Sequence, residues 1–213
     1  IKALLGNTLK SANINGYVYG ITTGREWFCQ SAVVMRKDII DELGIDVSKI
    51  QSYDDLDAVY EKVKTNYPDM FMLAGNNGST PDVKYEVVDT LSDGFGVLLD
   101  YGQQTKVVNY YESDTYKDFV YKMRDWQLKG YLSPDCATTS DGNEEQIKAG
   151  AAFSYFSPTK PGYTQRAKVL CNYDMLVVPI ADCFAGTAQI SFLTYGINNA
   201  TENKEKTMQC LDY

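Results

Sequence analysis

Two hydrophobic periods alternate along the chain. Residues 52–67 place Leu56, Val59, Tyr60 and Val63 on one helical face, with Ser52 or Asp54 as cap and Pro68 as terminator. Residues 113–130 repeat the pattern, with Tyr116, Phe119, Val120, Met123 and Trp126 tracking one stripe until Gly130 closes the helix, which makes Trp126 a core residue. Shorter helices are predicted at 38–43, with Asp38 as N-cap and Gly44 as stop, at 143–149 before Gly150, and at 163–170. A last helix, capped by Thr201 or Asn203, is built on Met208 and Leu211. Between the helices, apolar runs at 17–21, 31–35, 71–74, 151–156, 175–180 and 191–197 read as strands, and Pro179 marks its run as an edge. Residues 1–11 have amphipathic helical spacing, 83–91 fit a helix and 94–111 a short hairpin. This alternation predicts an α/β fold with a mixed, mainly parallel sheet flanked by helices.

Two of the strands run straight into polar loops. Residues 71–74 lead to Gly75, Asn76, Asn77, Gly78, Ser79 and Thr80, and residues 151–156 lead to Ser157, Pro158, Thr159, Lys160, Pro161 and Gly162. In open α/β sheets ligands sit beyond the carboxyl ends of strands, and an asparagine amide both donates to and accepts from a sugar hydroxyl. Glycine and asparagine are equally what a solvated turn requires for its backbone angles. A third polar stretch, residues 22–27, carries Arg25, Glu26 and Trp27.

Charge and composition narrow the chemistry. Twenty basic against 28 acidic residues give a formal charge of −8, which opposes attraction to phosphate backbones and anionic lipid, so nucleic acid is not an expected partner. Histidine is absent, which removes Ser-His-Asp and Cys-His machinery and the HExxH zinc site. The five cysteines form no CxxC pair, so they read as buried small hydrophobes or as one or two disulfides. Carboxylate pairs, lysines and tyrosines remain as catalytic options, and no metal site or cofactor is expected. Seventeen tyrosines offer flat apolar faces with a hydroxyl, a surface suited to sugars and peptides. No apolar run approaches the roughly 20 residues of a membrane span. The chain starts without methionine inside one helical pattern and stops inside another, and is expected to be a fragment of a longer polypeptide.

Six stretches in order carry a resemblance: NGYVYGI (15–21), RKDIIDELGID (36–46), SYDDLDAVYEKVK (52–64), KGYLSPD (129–135), EEQIKAGAAFSYF (144–156) and YGINNATENKEKTMQCLD (195–212). With these the chain resembles the extracellular solute-binding proteins of ABC importers, the group of the maltose-binding protein and the lipoprotein sugar binders. The resemblance implies one lobe of a type II periplasmic-binding-protein-like fold. Residues 1–20 would be a remnant of the other lobe and the first hinge crossing, 21–192 the C-terminal lobe, and 193–213 the return crossing and the start of a helix of the other lobe. It places ligand contacts on loops facing an interlobe cleft: Arg25, Glu26, Trp27, Asn76, Asn77, Tyr155, Phe156 and Tyr163. Trp27 and Phe156 would stack on a sugar ring, and Arg25, Glu26, Asn76 and Asn77 would take its hydroxyls or a carboxylate. The implied partners are a small-molecule solute, most readily a carbohydrate or oligosaccharide, and a membrane permease; the implied location is extracytoplasmic, as a monomeric, membrane-anchored lipoprotein. Ser157, Pro158 and Thr159 replace the tryptophan-containing turn of the maltose binder, so its sugar preference does not carry over. Two other classes fit the same residues: a carboxylate-pair glycoside hydrolase using Glu26 and Glu86, and a sensor ectodomain with the same fold.

Overall fold

The computed structural model describes residues 5–22, 30–75, 88–91, 94–187 and 194–212. In chain order, a 3-10 helix (Gly6–Ala12) precedes β1 (Asn13–Ile14), β2 (Tyr17–Val18), β3 (Ile21–Thr22), β4 (Gln30–Arg36), α1 (Lys37–Glu42), α2 (Leu56–Asn66) and β5 (Phe71–Leu73). There follow β6 (Gly96–Val97), β7 (Val108–Asn109), α3 (Asp114–Leu128), α4 (Asn143–Lys148), β8 (Ala152–Thr159), α5 (Tyr163–Cys171), β9 (Met175–Pro179), β10 (Thr194–Tyr195) and α6 (Lys204–Asp212). The chain divides into two compact units, Ile1–Phe28 with Ala185–Tyr213, and Cys29–Phe184.

The larger unit is built on a four-stranded sheet in the order β5-β8-β4-β9. β5 pairs parallel to β8, whereas β4 pairs antiparallel to both β8 and β9. Strands β5, β8 and β9 therefore share one direction and β4 alone opposes them. The expected parallel character survives in strand direction, but two of the three pairings are antiparallel because the reversed strand sits in the middle. Alternation along β4 sends Val33 and Met35 into one core with residues of α1, α2 and α3, and Val34 into another with Tyr155 and residues of α4 and α5. Helices thus cover both faces, which leaves β4 apolar on both sides, as the run Ala32 to Met35 requires.

Helix α2 has the predicted anatomy. The Ser52 backbone N–H donates to Asp55 Oδ2 at 2.9 Å in a capping box on the entering turn, and Leu56, Val59, Tyr60 and Val63 are buried. Removing each of these four side chains from water contributes about 1.5–3 kcal/mol. Its polar shoulder is clamped to α3, since Lys122 Nζ lies 2.8 Å from both Asp54 and Asp57 and Trp126 Nε1 donates to Asp57 Oδ1 at 2.5 Å. Burial opposes ionisation of Asp57, but hydrogen bonds from Lys122 and Trp126 and the lysine charge outweigh it and hold the carboxyl below its ordinary range. Trp126, fully buried, meets Tyr60 edge-on at 5.1 Å.

Several predicted details change. Asp38 is not a cap: α1 begins at Lys37, and Asp38 pairs with Arg36 at 2.5 Å inside the first turn. Val120 leaves the α3 stripe and is exposed. Strand β8 does not stop at Phe156 but runs through Pro158 to Thr159, opposite Ser31 and Gln30. Strand β5 accompanies β8 only as far as Ser154, so beyond it the proline's missing N–H removes no bond on that side. Asp89 is bridged antiparallel to Leu98 rather than helical; residues 83–87 lie outside the described residues. The hairpin within 94–111 forms as β6 and β7. Cys136, Cys171, Cys183 and Cys210 are free thiols, the first two buried, and Cys29 lies outside the described residues. No helix among the described residues is long and apolar enough to cross a membrane.

In the smaller unit, the run expected as one strand from Tyr17 to Ile21 is broken. Asn15 and Gly16 adopt φ of 53° and 86°, both positive as a two-residue hairpin turn demands, and pair β1 with β2. After Tyr19, whose N–H donates to Ala12 O at 3.0 Å, β3 pairs antiparallel with β10, Ile21 opposite Tyr195 and Thr22 opposite Thr194. The amphipathic spacing at the start becomes a 3-10 helix from Gly6, and residues 1–4 lie outside the described residues.

Candidate functional site

Because β4 opposes its neighbours, its amino end lies at the same edge of the sheet as the carboxyl ends of β5, β8 and β9. Side-chain ties gather these ends. Thr159 Oγ1 donates to the Gln30 carbonyl at 3.0 Å, joining the end of β8 to the start of β4. Gln30 Nε2 in turn donates to the Ala181 carbonyl at 3.1 Å beyond β9. At the exit of β5, Gln146 Nε2 of α4 donates to the Gly75 carbonyl at 3.0 Å and to that of Asp141 at 3.2 Å. Gly75 presses on the Cys136 turn so closely that a Cβ there would stand 3.0 Å from the Cys136 carbonyl oxygen.

The three described candidate residues lie in the middle of β8 and at the start of α5, in different roles. Phe156 is half-buried and stacks on Trp126 at 6.4 Å with 26° between the rings. Tyr155 points to the opposite face, where it is fully buried in the core shared with α4 and α5, so it is not a surface that a solute reaches on this unit. Burial first, then its hydrogen bond with Tyr163, raises the Tyr155 phenol far above its ordinary range and keeps it protonated. Tyr163 is buried as well, and its hydroxyl donates to Ser157 Oγ at 2.7 Å. Tyr155 and Tyr163 therefore prop the loop from beneath, and Phe156 lies on the other face. Arg25, Glu26, Trp27, Asn76 and Asn77, like Glu86, lie outside the described residues. Two of the described strands fix where those segments attach: the chain reaches the edge at Gln30 and leaves it at Gly75.

Gln30, Thr159 and Gln146 are the residues that sequence reading missed. Each is a neutral side chain whose bond goes to a backbone carbonyl distant in sequence, which no local spacing announces. The side chains tied at this edge among the described residues, Gln30, Thr159 and Gln146, are amides and a hydroxyl, with the Phe156 ring nearby, equipment for hydrogen bonding and stacking. Among the described residues no group of three or more acidic or cysteine side chains is placed to hold a metal ion.

A mixed sheet covered on both faces by helices is the architecture of one lobe of a type II periplasmic-binding-protein-like fold. No family model matches the chain. It is 24% identical over 213 residues to a carbohydrate ABC transporter substrate-binding protein of Streptococcus pneumoniae, covering 99% of this chain and 43% of that relative. Among solved structures it is similar to the N-glycan transport solute-binding protein of the same organism in complex with Man5GlcNAc, with TM-score 0.74, 24% identity, and coverage of 99% of this chain and 46% of that one. A substrate-binding protein of Listeria monocytogenes in complex with cycloalternan matches at TM-score 0.60 and 12% identity over 97% and 50% of the two chains. The resemblance read from sequence is thereby borne out in fold, and the chain spans about half the length of the relatives it matches.

Proposed function

We propose that this chain supplies one α/β lobe, with its two crossing strands, of an extracytoplasmic ABC-importer component that binds carbohydrate and performs no chemistry on it. The observation that carries the reading is the match over 99% of the chain to a carbohydrate substrate-binding protein, with the fold to go with it. The hydrogen-bonding side chains Gln30, Thr159 and Gln146 at this edge support it, because a solute held and then released needs stacking and hydroxyl contacts. In this reading Phe156 and Trp27 stack on the sugar, Arg25, Glu26, Asn76 and Asn77 take its polar groups, and Tyr155 and Tyr163 brace the loop under it. The stretches 1–20 and 193–213 belong with the other lobe and 21–192 form the C-terminal lobe, with the pairing of β3 and β10 as the crossing on which the lobes close. The partner is a membrane permease, and the protein works as a monomer on a lipid anchor at the cell surface.

Calorimetry of the full-length gene product against glucose-, mannose- and peptide-based ligands tests this. Saturable, stoichiometric binding of a sugar with no product on chromatography is the expected result; release of a cleaved sugar overturns it in favour of a hydrolase. Trp27→Ala in the same protein is expected to weaken sugar binding by about 1–3 kcal/mol, and unchanged affinity removes Trp27 from the contact set.

A further inference from the structure

A second aromatic group lies outside the site described so far. Phe95, at the start of the β6–β7 hairpin, is 64% exposed, and Tyr111, just after it, is 48% exposed. The two rings meet edge-to-face at 5.2 Å. Behind them Tyr110, Tyr111 and Tyr116 form a closed triangle of edge-to-face pairs at 5.7, 5.2 and 4.9 Å, with Tyr110 buried. Burial of the hairpin's own small core of Val88, Val97 and Tyr110 does not need Phe95, whose ring remains mostly in water. The triangle holds the Tyr111 ring in one position, so a ligand that stacks on it meets little ordering cost.

The place of this group in the unit follows from helix α3. After α3 the chain reverses at Gly130, and Leu132 bridges Leu73 in parallel, so α3 runs against the direction of β5. Trp126, near its end, touches Phe156. Tyr116 lies ten residues earlier, about 15 Å along the helix at 1.5 Å per residue, towards the carboxyl edge of the sheet. Tyr116 and Phe119 continue the line of rings at 6.4 Å.

We propose that Phe95 and Tyr111 form an outer carbohydrate subsite, which takes the distal sugars of an oligosaccharide whose inner end sits at Phe156. This rests on the carbohydrate-binding reading above and gives it a substrate class, a chain of several sugars rather than a mono- or disaccharide. The C–H face of a pyranose matches an exposed aromatic ring, and the neighbouring Asn109, whose Oδ1 accepts the Tyr111 N–H at 3.1 Å, retains its NH2 group to donate to a hydroxyl. A neutral platform of this kind suits an uncharged glycan.

The test is calorimetry of the full-length gene product with mannobiose, maltose, maltohexaose and Man5GlcNAc, comparing wild type with Phe95→Ala/Tyr111→Ala and with the ring-preserving Phe95→Tyr. The longer sugar of one series is expected to bind wild type more tightly than its disaccharide. The double alanine variant should lose about tenfold affinity for the longer sugar alone, and Phe95→Tyr should retain it. If the double variant fails to fold, as its thermal melt shows, Phe95→Ala alone carries the comparison. Equal loss for short and long sugars, or no loss, overturns the outer subsite while leaving the inner one standing. No binding of any of the four sugars by wild type overturns both.

Discussion

Ser154 shows how one buried polar side chain can be satisfied completely. Its hydroxyl donates to the Met72 carbonyl at 2.6 Å, so the Tyr60 hydroxyl, 2.8 Å away, must be the donor to Ser154 Oγ. Burial raises the Tyr60 phenol well above its ordinary range, which keeps that proton in place. Ser154→Ala strands the buried Tyr60 hydroxyl, while the Met72 carbonyl keeps the backbone bond of the parallel β5–β8 pairing, and is expected to cost about 1–3 kcal/mol, whereas Tyr60→Phe strands no buried group and should cost about 1 kcal/mol or less; urea denaturation of both variants measures the order. Asp57 makes a pH-dependent contribution. Its folded pKa is depressed, so its stabilisation is present above the unfolded value and is lost as pH falls through the folded one. Thermal melts from pH 6 to pH 2 are expected to show wild type losing more stability on acidification than Asp57→Asn, and parallel curves would contradict the assignment. Neither contact was legible in the sequence beforehand, although Trp126 as core was, because a long stripe reports burial and says nothing of which polar atom waits at the end of it.

At the level of elements, helices and strands with strong periods were readable: α2 and β4 follow their apolar positions, and α3 does so except at Val120. What failed were boundaries settled by partners distant in sequence. Pro158 reads as a stop, yet β8 continues because β5 has already left its side. Tyr17 to Ile21 reads as one strand, yet the Asn15–Gly16 turn folds its first half back on Asn13 and Ile14. Close packing between elements is equally silent in the sequence. Gly75 could be read only as a loop glycine, whereas the structure makes it the point where the exit of β5 meets the Cys136 turn. Gly75→Ala is expected to destabilise by about 1–3 kcal/mol through that clash and to weaken sugar binding, measured by thermal melting and calorimetry on the full-length gene product.

For the whole molecule, the larger unit holds its own sheet and both helix layers, with two of its core clusters on opposite faces of β4. Residues 29–184 expressed alone are therefore expected to unfold in one cooperative transition; a broad, non-cooperative melt would show that the unit depends on the remainder of the chain. Of the candidate contacts placed on loops at strand ends, the structure describes Tyr155, Phe156 and Tyr163, and it buries two of them. The opposed direction of β4 was not legible in the sequence, since strand direction is a property of the topology and not of any run of residues. That reversed central strand has a mechanical consequence. Gln30 is where the chain enters the larger unit's sheet, and there its carbonyl is tied to β8 and its amide to the residue beyond β9. A pull on the incoming chain is thus carried as shear by two antiparallel ladders at once, and arrives simultaneously at the carboxyl ends of β8 and β9.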